Sequence, residues 1–89
     1  MHDTRRWSVE IFVGEDDGRT YAEAALHDDI GNSVTGTGQA QVAPTDRNVP
    51  EVGDEIAVAR ALGDLSHRLL AIAKDDVEEL THERVRLHE

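Results

Sequence analysis

The chain reads as an α+β domain: a three-stranded antiparallel β-meander packed on one long C-terminal α-helix, in the order β-β-β-α. Three observations predict this. Three segments alternate apolar and polar residues with period two, which marks strands with one covered and one wet face. Turn-forming clusters, Gly14-Glu15-Asp16-Asp17-Gly18 and His27-Asp28-Asp29-Ile30-Gly31-Asn32, separate those segments. From Glu51 onward the apolar residues switch to a helical period and hold it to about Leu80.

In the first strand, Trp7, Val9, Ile11 and Val13 alternate with Ser8, Glu10 and Phe12. The second has an inner row of Ala22, Ala24 and Leu26, and an outer row of Tyr21, Glu23, Ala25 and His27. If Glu15 to Gly18 form a four-residue loop, Phe12 stands opposite Tyr21 on the outer face. The third strand, from about Ser33 to Val42, turns Val34, Gly36, Gly38, Ala40 and Val42 inward and Thr35, Thr37, Gln39 and Gln41 outward. Glycine weakens a strand unless something must approach its backbone. Here the expected visitor is the helix, which should sit nearer the second and third strands.

Ala43 to Asn48 is a polar connection. Asn48-Val49-Pro50-Glu51 resembles a capping box, with Pro50 tolerable in a first helical turn. At about 100° per residue, Val58, Leu62, Leu65, Leu69, Ile72, Ala73, Val77 and Leu80 share one broad arc, and Arg60, Asp64, His67, Lys74 and Glu78 lie opposite. A helix from Glu51 to Glu79 is about 43 Å long, whereas an eight-residue strand spans about 27 Å. Part of the apolar arc must overhang the sheet, curve around it or meet a second subunit; a homodimer is the expectation. The whole chain is read as one domain over 1–89, with an ordered core over about 6–80. The charged, aperiodic stretch 81–89 is expected to be a flexible tail.

Composition narrows the function classes. Eighty-nine residues fit one domain, with little room for a deep cavity beside a core. Nine Lys/Arg against nineteen Asp/Glu give a formal charge of −10. That surface repels phosphate backbones and anionic lipid, so neither nucleic acid nor membrane is expected as a partner. No cysteine is present, which excludes disulfides, thiolate chemistry and zinc–sulfur sites. The N-terminal residues lead into a strand pattern rather than an apolar signal run, and no stretch is long and apolar enough to span a bilayer. The expected location is cytoplasmic.

No constellation specifies a reaction. Asp64, Ser66 and His67 are the residue types of a nucleophilic triad, but on a helix Ser66 and His67 diverge by about 100°. Asp64 is better spent pairing with His67 or Arg68. The five histidines lack metal-ligand spacing, and Glu15-Asp16-Asp17-Gly18 lacks the alternating ligands and distal glutamate of a calcium loop. Gly36-x-Gly38 lies inside a strand, not at a strand-to-helix turn where phosphate would meet helical amides. Arg60, His67 and Lys74 make a thin basic stripe, interrupted by acids. No catalytic residue, metal ligand or cofactor is assigned. The outer sheet face stands out as a possible interaction surface: Phe12 and Tyr21 offer an aromatic pair, with Thr35, Thr37 and Gln39 beside them.

The segments Asp17-Gly18-Arg19-Thr20, Gly36-x-Gly38-x-Ala40 and Pro44-x-Asp46-Arg47, and above all the run from Val49-Pro50-Glu51-Val52-Gly53-Asp54 through Ala61-Leu62-Gly63-Asp64-Leu65, resemble domain-of-unknown-function family 1876, small proteins mainly of actinobacteria. The resemblance covers Trp7 to about Thr81. It implies a three-strand-plus-helix fold loosely like double-stranded-RNA-binding domains, and it implies no activity. Those domains grip phosphates with lysines at a helix entry; here the entry carries Glu51, Asp54 and Glu55.

The leading expectation is therefore a non-catalytic protein-interaction or ligand-binding module, self-associating and not an enzyme, with an unidentified protein or small ligand as partner. The alternative is a small enzyme or sensor using carboxylates and His27 on the outer sheet face. Nucleic-acid binding by fold analogy ranks last.

Overall fold

In the computed structural model, residues 3–41 and 50–87 are described. Three strands, β1 (Ser8–Asp16), β2 (Arg19–His27) and β3 (Ser33–Gln41), form one antiparallel sheet in the order β1-β2-β3, followed by a single helix, α1 (Pro50–Leu87). This is the expected β-β-β-α arrangement. The connection 42–49, including the proposed cap Asn48, lies outside the described residues. Helix α1 itself starts at Pro50, whose fixed φ suits a first turn. It continues seven residues past Leu80 to Leu87, through a stretch whose sequence has no apolar period but many good helix formers.

The β1–β2 turn corrects the expected register. Asp16 pairs with Arg19, leaving only Asp17 and Gly18 in the loop. Their φ values are +57° and +78°, positive at both central positions as a type I′ turn requires. Phe12 consequently faces Glu23, and Tyr21 faces Gly14. The two aromatics are diagonal neighbours rather than direct partners. Between β2 and β3, the Asp28 side chain organises the loop: its Oδ1 accepts from the Ile30 amide at 3.0 Å and the Asn32 amide at 2.8 Å.

The helix lies over β2 and β3, as the small residues there foretell. Ala57, Ala61 and Leu65 form its contact line, meeting Ala22, Ala24, Leu26 and Ala40 in the buried core. Gly36 and Gly38 are why the approach can be so close. A Cβ on Gly38 would overlap the Ala57 carbonyl and the Ala61 amide nitrogen, and one on Gly36 would stand 2.7 Å from the Leu65 Cα.

That close approach rotates the helix away from its expected orientation. The alanine line, not the centre of the large apolar arc, points at the sheet, and Leu62 is left 40% exposed. The opposite flank swings down onto the free edge of β3. Arg60 and Asp64, read from periodicity as solvent-facing, instead bond to β3 backbone at Gln39 and Thr37.

The resulting core is thin. Among the described residues no large side chain is fully buried. The radius of gyration is 18.5 Å, against about 12 Å for a compact domain of this length. The accessible surface is 7494 Å², against about 5200 Å² for a compact monomer of this mass.

Candidate interaction surfaces

The outer face of the sheet carries the residues singled out from sequence. Tyr21 and Gln39 pair across β2 and β3 on one rung; Phe12, Glu23 and Thr37 share the next, and Thr35 sits one rung further along. Phe12, Tyr21, Thr37 and Gln39 line a shallow open depression of about 520 Å³, with Gly14 supplying the gap beside Tyr21. Thr35 is not part of its lining. His27 lies at the other end of β2 from Tyr21, on a rung with Ser8 and Ser33. The depression thus holds two rings, an amide, a hydroxyl and one carboxylate. Such a surface can stack and hydrogen-bond a partner.

A second surface was not singled out from sequence. Val9, Ile11 and Val13 pair with Leu26, Ala24 and Ala22, so they stand on the helix-facing side of the sheet. The helix covers them only in part: they are 44%, 42% and 45% exposed. Leu62 on α1 is exposed to a similar extent, so the sheet beyond the helix presents a half-exposed apolar row. At the end of this row, Trp7, Leu26, Val34, Leu69, Ile72 and Ala73 border a recess of about 560 Å³ beneath the helix. Period-two alternation named the inward residues but carried no information about whether one helix is wide enough to cover three strands.

The two sheet edges are treated differently. On β3 the Thr37 amide donates to Asp64 Oδ2 at 2.9 Å, and Arg60 Nη1 donates to the Gln39 carbonyl at 2.7 Å. Arg68 Nε shares the same Asp64 oxygen at 3.0 Å. The Thr37 hydrogen bond first, and Arg68 second, hold the Asp64 carboxyl below the usual carboxylate range. These contacts use up backbone groups that an edge strand would otherwise offer to another chain. All nine residues of β1, the other edge strand, are exposed.

Asp28 is also held below its ordinary range: partial desolvation pulls it upward, but bonds from Asn32, Ile30 and Gly31 outweigh that. Among the described residues no cluster of three or more His, Cys, Asp or Glu is placed to hold a metal ion. None of the described helical segments is long and apolar enough to cross a membrane.

A family model for Rv2632c-like proteins matches residues 5–86. The chain belongs to the Rv2632c-like family. Within that family it is 44% identical over 86 residues to the uncharacterised protein Mb1767 of Mycobacterium bovis, covering 97% of this chain and 90% of the relative. It is 38% identical over 84 residues to the uncharacterised protein Rv2632c of Mycobacterium tuberculosis, covering 94% and 89%. The crystal structure of Rv2632c superposes with a TM-score of 0.82 at 38% identity, covering 91% of this chain and 95% of that one. The family is thus one of small uncharacterised mycobacterial proteins, as the sequence resemblance implied in outline, and the relatives' names assign no activity to it.

Proposed function

We propose that this domain is a non-catalytic interaction module that works as a homodimer. The observation that supports this is the half-exposed row Val9, Ile11 and Val13, which faces the helix side of the sheet but is only partly covered by the helix of its own chain. Leaving such a row in water forfeits about 25 cal/mol for each Å² that association would cover, and contiguous apolar patches of this kind mark interfaces. The outer face, with Phe12 and Tyr21 around its shallow depression, then remains free in the dimer for a further protein or small ligand.

An enzyme or sensor on the outer face is the weaker reading, because His27 stands at the far end of the sheet from the aromatic depression. Double-stranded-RNA binding is weaker still, because Glu51, Asp54 and Glu55 occupy the helix entry where phosphate-binding lysines would be needed. Light scattering on purified protein at high micromolar concentration tests the proposal. The expected mass is two chains, and the mass of one chain would sink it.

A further inference from the structure

We propose that the recess beneath the middle of α1 binds a small organic cation, an ammonium group carried on an aliphatic or aromatic body. This site is distinct from the outer face of the sheet, and it does not rest on the homodimer.

The recess has the build of a ligand site. Its volume is about 560 Å³, inside the span of roughly 300–1,000 Å³ typical of small-molecule pockets, which are mostly apolar with a few polar groups. Leu26 lines it from the sheet, Leu69 and Ile72 from the helix, and Trp7 from the segment before β1. Leu26 is buried and Leu69 half-buried, whereas Trp7 and Ile72 are left about half exposed. A ligand's apolar body would take that remaining surface out of water.

The charged groups select the ligand. Asp28 and Asp76 both line the recess, and no Lys, Arg or His among the described residues does. Arg5 and Arg6 precede Trp7 in the chain, yet neither is part of the lining. Asp76 follows Leu69 by seven residues and Ile72 by four, so it continues the same helix face and sets a carboxylate where the apolar stripe would otherwise run on. Asp28 is half-buried on the loop side. The Ile30 and Asn32 amides hold its Oδ1 in place, and those bonds keep it ionised. Among the described residues neither carboxylate takes part in an ion pair. An anion is repelled here, and a neutral molecule leaves both charges unmatched. An ammonium group donates charge-assisted hydrogen bonds to them, and indole is the ring whose face attracts a cation most strongly.

Trp7 is the only tryptophan of the chain, so its fluorescence reports the site directly. Octylammonium, 1-octanol and octanoate share one tail and differ in the charge of the head; each is titrated below its micelle-forming concentration. Octylammonium should shift the Trp7 emission with a Kd roughly fivefold below that of octanol, the scale of a partly exposed charge pair, and octanoate should bind most weakly. Asp76→Asn should remove most of this preference and leave octanol unchanged. Glu10→Gln removes the same charge on the opposite face of the sheet and should leave the preference intact. Ala73→Phe fills the recess and should weaken octylammonium and octanol together. The proposal is overturned by a silent Trp7, by equal Kd values for octylammonium and octanoate, or by equal losses in Asp76→Asn and Glu10→Gln. The titrations read the same for one chain or two, so this site and the homodimer stand or fall separately.

Discussion

The Thr37 backbone amide donates to the Asp64 carboxylate at 2.9 Å across the free edge of β3, so a helix side chain does the work of a fourth strand. The same oxygen is held by Arg68. Helix rotation, edge protection and the exposure of β1 follow from one placement.

Replacing Asp64 by Asn should weaken the acid dependence of stability. The folded Asp64 carboxyl titrates below its ordinary value, so its contribution is complete above the unfolded value of about 3.9 and disappears as pH falls through the lower folded value. Thermal melts between pH 2 and 6 should show a shallower slope for Asp64→Asn than for the parent. Some slope should remain, because Asp28 is shifted in the same direction. Identical slopes would mean that the edge contact does not persist in solution.

Gly38→Val should be among the most damaging single changes. Its Cβ alone would collide with helix backbone at Ala57 and Ala61, and backbone cannot swing aside as a side chain can. A loss of about 3 kcal/mol or more is expected in urea titration. A loss below about 1 kcal/mol would show that the helix does not lie on this strand.

Leu65→Ala should cost about 2–5 kcal/mol, as for other well-buried leucines. Leu62→Ala, at an exposed position of the same arc, should cost clearly less in any state where α1 stands alone. Equal losses at both sites would place Leu62 under cover, as in the proposed dimer.

Gly18→Ala forces a side chain into the left-handed region at φ +78°. About 1 kcal/mol of hairpin stability should be lost, readable as a lower melting temperature. Asp17, at φ +57°, should tolerate Asn with little change.

Phe12 and Tyr21 should couple weakly. A double-mutant cycle to Ala should give below about 0.5 kcal/mol, since diagonal neighbours on a strand pair are farther apart than directly opposed ones. A larger coupling would mean that the rings stack.

The Phe12–Tyr21 register shows where sequence reasoning went astray and why. Asp17-Gly18 is a strong two-residue hairpin signal, but the surrounding Glu15 and Asp16 look equally loop-like. Backbone pairing alone decides that they extend the strands. Of the five outer-face residues, the structure gathers Phe12, Tyr21, Thr37 and Gln39 around one depression and leaves Thr35 outside its lining.

From the sequence alone came three alternating strands, a long terminal helix, the inward glycines of β3 and the preference of the helix for the small-residue strands. These are properties of local pattern, because strand and helix periods are written into consecutive residues. Tertiary structure alone decided the rotation of α1, its bonds to Thr37 and Gln39, and the uncovering of Val9, Ile11 and Val13. Those depend on how closely two backbones approach over Gly36 and Gly38, a steric quantity that no single segment contains. A helix seated that deeply on two strands is too narrow to shelter a third.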